Sequence, residues 1–226
     1  MAKKKTSRKE LLKGTDEFLT LSGRAVNFYA AHTNVFKYVG LAIAVIAVVY
    51  LGVNTYMRYV NKKGQNAYNS AYDTLSKNMG PGADAEGVKK SEELFDKVID
   101  DYGLSKAARL ALPQVAYLKF ADKKYDEAIA LYKEFSKKIS GEGDFDSLTK
   151  LALAACYEAK GDNKTAIQHL NAILDRPADP FKETAMYSLA RLYRLDNQPE
   201  KAKEILKEFV EKYKTSPFLR MAKARL

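Results

Sequence analysis

The sequence predicts an all-α protein in which a single N-terminal transmembrane helix is followed by an α-solenoid of helix-turn-helix repeats. No charged residue lies between Lys37 and Arg58, a stretch long enough to cross a bilayer. Further along, three segments share one pattern of small and large apolar residues. The chain of 226 residues has 46% apolar residues but only 6 Pro and 12 Gly, a composition that favours packed helices over disorder.

The apolar segment begins at Tyr38 and continues to Met57, which gives about 20 residues, or about 30 Å as a helix. A buried core helix would normally keep a polar stripe, and this segment has none. A signal peptide would have a short basic region and a small-residue cleavage site. Here 37 residues come first and no such site follows, so we predict an uncleaved anchor over residues 37–57.

Charge on either side of the span predicts its orientation. Eight Lys and Arg against three Asp and Glu lie in residues 1–37, so the positive-inside rule places a basic tail, residues 1–36, in the cytoplasm. The C-terminal part is then across the membrane; an organelle adaptor with a cytosolic domain is the alternative, and the charge count contradicts it. Because the basic residues adjoin the span rather than a folded domain, nucleic-acid binding is not predicted. Glu10–Ala31 is weakly amphipathic, and either lies on the membrane surface or is a short helix without a specific role.

Three repeat units are centred on Ala128, Ala166 and Ala202, with spacings of 38 and 36 residues. Each unit reads as two antiparallel helices joined by a tight turn. Small residues are needed where the two helices cross, and larger residues fill the gaps beside them. The small positions on the predicted first helices are Ala116, Ala154 and Ala190, and the large positions four residues after each second-helix alanine are Tyr132, Leu170 and Leu206.

A degenerate unit is predicted before these three. Its first helix, Asn66–Met79, lies in a helical neck over residues 58–79, and its second helix is Val88–Tyr102, after a loop over Met79–Gly87. Pro113 is predicted to kink or split the helix that contains it. Gly141–Asp146 lacks the ligand spacing of a calcium loop and is predicted to be a solvated loop between repeats.

This pattern of small and large residues resembles the tetratricopeptide repeat family over residues 85–226, and its spacing is close to that family's period of about 34. The resemblance implies a stacked array whose groove, lined by the first helix of each pair, binds a peptide or a partner helix. Transferred to this chain, the groove positions are Tyr117, Phe120, Leu151, Ala155, Glu158, Tyr187, Arg191 and Arg194.

The whole layout resembles the ancillary subunit of the bacterial Sec translocon (YfgM-like proteins). The matching pieces are Asn27–Ala31 before the span, Tyr56–Tyr59 after it and the amphipathic ending Ser216–Leu226. The resemblance implies an inner-membrane protein with a periplasmic domain, whose partners are translocon subunits, periplasmic chaperones or exported chains. Phe95–Tyr102 and Phe209–Tyr213 also resemble repeats of outer-membrane assembly and cell-division coordinator proteins. A homo-oligomeric scaffold that self-associates through its terminal helix is the remaining alternative.

Motifs for catalysis and cofactor binding are missing from the sequence. The two histidines, His32 and His169, do not form a zinc-binding pair, and no glycine-rich phosphate loop is present. The single cysteine, Cys156, lies in an apolar helical run and is predicted to be a small buried thiol. We therefore predict a binding protein that is not an enzyme and needs no metal or cofactor.

Overall fold

A computed structural model describes residues 13–79, 84–139 and 143–226, with side chains from residue 20 onward, and these residues form helices and short turns without strands. The first part of the predicted tail, including Glu10–Leu12 of the amphipathic segment, lies outside the described residues. In the described ranges the helices are α1 (Lys13–Ala31), α2 (Thr33–Asn78), α3 (Ala85–Asp101), α4 (Lys106–Ala121), α5 (Tyr125–Lys138), α6 (Gly143–Ala159), α7 (Asn163–Leu174), α8 (Lys182–Leu195), α9 (Pro199–Lys212) and α10 (Leu219–Lys223).

The chain divides into two units, Met1–Tyr56 and Met57–Leu226. In the first unit, α1 ends at Ala31, and the Thr33 hydroxyl at the start of α2 donates a hydrogen bond of 2.8 Å to the Ala30 carbonyl. The first unit also holds the apolar part of α2. A window of 18 residues there has a mean hydropathy of 2.1, and no part of it is buried. By length and composition, this helix is able to cross a membrane.

In the second unit, consecutive helices pack as antiparallel pairs. The part of α2 that follows Met57 packs against α3 through a buried cluster that includes Ala71, Leu75, Phe95 and Val98. The next pairs are α4 with α5, α6 with α7, and α8 with α9, and the short α10 packs against α9. The first helix of each pair is thus α2, α4, α6 or α8, and the second helix is α3, α5, α7 or α9.

The six alanines identified in the sequence lie inside the packed helix pairs. All six are buried, because a larger side chain would not fit between helices that cross at these positions. They are Ala116, Ala154 and Ala190 on the first helices and Ala128, Ala166 and Ala202 on the second helices. The burial of these small residues agrees with the predicted repeat pattern, and the predicted burial of Cys156 is confirmed.

The turn inside each of the last three pairs has one repeated geometry. Lys123, Gly161 and Asn197 all adopt a left-handed backbone, with φ of 61°, 82° and 57°. In each turn the next residue's N–H bonds back to a carbonyl five residues earlier, as Asp162 does to Tyr157 at 2.9 Å. This is the helix ending in which a left-handed residue satisfies the last free carbonyls, and it brings the second helix back along the first.

The other end of two pairs is closed by polar contacts. The buried Ser147 hydroxyl, just after the first turn of α6, donates to the Asp179 carboxylate in the segment after α7. The Ser216 hydroxyl, after α9, likewise donates to Glu183 in the first turn of α8. Each contact joins the start of a first helix to the segment that follows its partner helix.

Three local predictions are wrong in part. The helix containing Pro113 is not split, because α4 continues from Lys106 to Ala121 through the proline. Ala85–Gly87 belongs to α3 rather than to a loop, since the Asp84 carboxylate caps the N–H groups of Glu86 and Gly87. Of the predicted loop Gly141–Asp146, residues 143–146 form the first turn of α6, where carboxylates are favourable at the positive end of the helix dipole; residues 141 and 142 lie outside the described part.

Candidate protein-binding groove

A row of cavities lies along the first helices of the second unit. Side chains spaced three or four residues apart on α4, α6 and α8 face these cavities, because residues at this spacing share one side of a helix. Side chains of a second helix form the bottom of each cavity. We call this row of cavities, from Tyr68 on α2 to Arg194 on α8, the first-helix groove.

The first cavity, of about 270 Å³, is mainly apolar and lies between α2, α4 and α6. Leu110, Pro113 and Gln114 of α4 form one wall, and α6 forms the other with Phe145, Leu148, Thr149 and Ala152. Tyr68 of α2 closes one end, where its ring also packs against Phe95 with centroids 5.3 Å apart. Burial raises the pKa of the Tyr68 hydroxyl, which forms a hydrogen bond with the Gln114 side chain.

The second cavity is small, about 40 Å³, and lies between α6 and α8. Leu151, Ala155 and Glu158 line it from α6, and Arg191 lines it from α8. The Arg191 guanidinium donates from both terminal nitrogens to the two oxygens of Glu158, one bond measuring 2.8 Å. Such a two-bond ion pair is geometrically specific, and it fixes the relative position of two consecutive first helices.

The third cavity, of about 280 Å³, is bounded by α8, α9 and the C-terminal segment. Tyr187 stacks on Phe218 with ring centroids 5.1 Å apart, and the Arg225 guanidinium lies 5.4 Å from the Tyr187 ring centre. Arg194 donates to the Arg225 backbone carbonyl. The pKa of Arg191 is lowered, first by burial and then by the nearby positive charge of Arg225. This cavity is therefore cationic, unlike the first.

The predicted groove residues fall into three groups. Leu151, Ala155, Glu158 and Arg191 come together in the second cavity, and Tyr187, Arg191 and Arg194 in the third. Tyr117 lines none of the three cavities, but it is 46% exposed on the same face of α4 as Pro113 and Gln114. Phe120 is half-buried against the cluster around Ala116 and Ala128, and its ring packs 5.5 Å from that of Tyr125, so it belongs to the packing inside the pair.

The sequence interpretation missed the first cavity. The signal was present on α4, where positions 110, 113, 114 and 117 form a stripe with helical spacing. Pro113 was interpreted only as a helix breaker, and Phe145 was assigned to a loop. Arg225 was also missed, because its place beside Tyr187 depends on the path of the chain after α9. The floors of the three cavities include one equivalent position in each pair: Tyr132, Leu170 and Leu206.

The tetratricopeptide repeat-like domain family matches residues 28–176, more than half of the chain, and the tetratricopeptide repeat family matches residues 184–216. The chain therefore belongs to the tetratricopeptide repeat-like domain family. Families of this kind are generally non-catalytic scaffolds that mediate protein–protein interactions. In the residues that the structure describes, no group of three or more His, Cys, Asp or Glu is placed to hold a metal ion.

Similar solved structures have the same fold. Two crystal structures, one of a single-residue variant, show the nearly identical TPR-like repeats of a putative kinesin light chain from Podosopora anserina. Each is 18% identical in sequence to this chain and superposes with a TM-score of 0.54, over 72% of this chain and 82% of the other. A tetratricopeptide repeat protein from Parabacteroides merdae is 16% identical with a TM-score of 0.59, over 73% of this chain and 59% of that one. No curated protein matches the sequence.

Proposed function

We propose that this protein is a membrane-anchored adaptor of the bacterial inner membrane, with its repeats in the periplasm at the Sec translocon and its chaperone network. The proposed parts are a cytoplasmic tail (1–36), a span (37–57), a neck (58–79) and the repeat domain (85–226). The excess of basic residues before the span supports this topology. The resemblance in layout to the ancillary translocon subunit supports the location. The partners are translocon subunits, periplasmic chaperones or exported chains.

The first-helix groove is the observation that carries the binding function. Its first cavity exposes apolar surface, with Leu148 45% exposed, where a monomeric domain would normally place polar groups. Its other end is cationic around Arg191 and Arg194. A partner segment with an apolar side chain for the first cavity and acidic groups further along would match both ends.

In-cell photocrosslinking tests this proposal. A photoreactive phenylalanine derivative replaces Tyr117, which is exposed beside the first cavity, in the full-length chain. Tyr187 is less suitable, because Phe218 and Arg225 cover it. We expect capture of translocon subunits or periplasmic chaperones from position 117 but not from the control position Lys201, which is exposed on the second helix α9.

A second variant separates groove binding from chance proximity. With the probe at Tyr117, Leu148→Asp should lower capture by about tenfold or more, because burying one leucine contributes about 1.5–3 kcal/mol. Lys201→Asp is the matched control and should leave capture unchanged. Equal capture from both probe positions contradicts groove binding, capture of cytosolic proteins contradicts the topology, and capture of only other copies of this chain favours the self-associating scaffold.

The charge of the C-terminal end argues against self-association through it. The exposed side chains there include the apolar Met221 and Leu226 and the cations Arg220, Lys223 and Arg225, so every charged side chain in this set is positive. Two copies that met end to end would bring these cations together, which is unfavourable. The adaptor is therefore preferred to the scaffold.

A further inference from the structure

The turn between α3 and α4, residues Tyr102–Ser105, is held against the start of the neck. The Asn61 side-chain oxygen accepts a hydrogen bond of 2.9 Å from the Lys106 N–H. Gly64 lies so close to the turn that an added Cβ would be 2.6 Å from the Ser105 Oγ. Val60, one helical turn before Gly64, is buried as well. The turn therefore has a fixed position beside residues 60–64 of α2.

This position is close to the end of the proposed span, and the inference rests on that proposed anchor. Asn61 follows Met57 by four residues, or about 6 Å along a helix, and Gly64 follows it by about 10 Å. The polar headgroup layer of a bilayer is roughly 5–8 Å deep on each side. With a span that ends at Met57, Asn61 and the Lys106 N–H that it binds lie within the headgroup layer, and Gly64 lies just outside it.

The side chains around the turn suit such an environment. Leu104, at its tip, is 68% exposed, so it has no part in the core. The exposed charged residues in residues 58–64 of α2 and in residues 100–106 around the turn are the cations Arg58, Lys62, Lys63 and Lys106 and the anions Asp100 and Asp101. The excess of cations favours an anionic lipid surface, and an exposed leucine gains free energy when it enters the apolar part of the interface.

We propose that the α3–α4 turn is a second membrane contact, in which Leu104 enters the headgroup boundary of an anionic bilayer and the surrounding lysines bind lipid phosphates. The repeat domain is then tied to the lipid surface at the turn as well as through its anchor helix. This limits how far the first-helix groove can rotate above the membrane.

Fluorescence quenching in vesicles tests the contact. The full-length Leu104→Cys protein is labelled with an environment-sensitive fluorophore and placed in vesicles that contain lipids with a quencher in the headgroup region. Cys156 should compete little for the label, because its side chain is only 1% exposed and burial raises the pKa of its thiol to about 11. Vesicles of phosphatidylcholine alone are compared with vesicles that also contain phosphatidylglycerol.

We expect strong quenching at position 104 in the anionic vesicles and weaker quenching in phosphatidylcholine alone. Leu195→Cys is the matched control, since Leu195 is a similarly exposed leucine (57%) at the far end of α8, and it should not be quenched. Lys106→Gln keeps the backbone bond to Asn61 but should lower the ratio of docked to undocked protein roughly fivefold, since one lysine near an anionic surface contributes about a factor of five.

A Val45→Cys probe in the span separates failure of this contact from failure of the anchor. Quenching by deep lipid quenchers at position 45 but no headgroup quenching at position 104 would overturn the second contact and leave the anchor intact. Equal quenching at 104 in both kinds of vesicle, or at 195 as strongly as at 104, would also overturn it. No quenching at position 45 would overturn the anchor itself and this inference with it.

Discussion

Two neighbouring alanines on α6 allow a direct test of how the groove is built. Both alanines border the second cavity, but Ala154 is 3% exposed and packs in the cluster that contains Ala166, Leu170 and Leu189, whereas Ala155 is exposed to solvent. Replacing each with leucine adds the same three carbon atoms to the same helix. Alanine and leucine are both strong helix formers, so the local preference for helix nearly cancels.

The expected free energies differ because Ala154 is buried between helices, whereas a larger side chain at the exposed Ala155 can extend into solvent. Ala154→Leu inserts bulk into a closely packed crossing, which costs about 1–3 kcal/mol of unfolding free energy. At about 2–4 °C per kcal/mol for a unit of this size, the midpoint should fall by roughly 2–12 °C. Ala155→Leu should change stability by no more than about 0.5 kcal/mol, but its side chain would fill the 40 Å³ cavity beside Arg191.

Thermal unfolding followed by circular dichroism measures the first effect, and crosslinking from a probe at Tyr117 measures the second. We expect Ala154→Leu to lose stability, and Ala155→Leu to lose partner capture while keeping wild-type stability. Equal midpoints for the two variants would refute the close packing at the helix crossing. Full capture by Ala155→Leu would refute partner binding across the second cavity.

Three further predictions concern the turns and the buried polar groups. Lys123→Gly should raise the unfolding free energy by roughly 0.5–1 kcal/mol, because it relieves left-handed strain of about 1–2 kcal/mol at some cost in unfolded-chain entropy. Gly161→Ala, at the equivalent turn, should lower the unfolding free energy. Urea unfolding measures both variants, and a loss of stability from Lys123→Gly would contradict the repeated turn geometry. Burial raises the pKa of Asp179, but hydrogen bonds from Ser147 and the Phe181 N–H and the charge of Arg176 outweigh it, so the pKa is lowered overall. The contribution of Asp179 to stability is therefore complete above the unfolded-state pKa of about 4 and is lost as the pH falls through the lower folded-state value. Asp179→Asn should be less stable than the wild type at neutral pH and should lose less stability on acidification. Parallel curves of stability against pH for the wild type and the variant would contradict this. Cys156 should react with a thiol reagent at pH 8 only slowly until urea unfolds the chain, because burial raises its thiol pKa to about 11, and equally fast reaction of the folded protein would show that the thiol is accessible.

The repeat pairs could be predicted from the sequence because their signals are local. Ala128, Ala166 and Ala202 recur at nearly the family period, and a helix crossing tolerates only small side chains at such positions. The left-handed turn residues Gly161 and Asn197 also follow from composition, since glycine and asparagine adopt this backbone most easily. Lys123 occupies the equivalent place, and nothing in its residue type indicates this, since the pairing of α4 with α5 imposes its backbone conformation.

Tertiary structure alone decided which candidate groove residues share a cavity. The sequence gives the face of each helix but not the distance between the faces of different helices, so Glu158 and Arg191 were both candidates without being predicted as a pair. Phe120 and Tyr117 lie three residues apart on α4, yet one packs inside the pair and the other is exposed. The place of Arg225 beside Tyr187 depends on how the chain turns after α9.

By itself, the sequence determined the helical class, the repeats and the apolar helix before them, because these follow from the periodicity and composition of contiguous residues. Only the tertiary structure decided the first cavity, the ion pair across the second and the position of the α3–α4 turn beside the neck. Each of these depends on residues between 33 and 84 positions apart that meet when the helix pairs stack, as Asn61 and Lys106 do across 45 residues. The physical reason is that helix periodicity is a short-range property of the chain, whereas the spacing between stacked helices depends on the volumes of all the side chains packed between them.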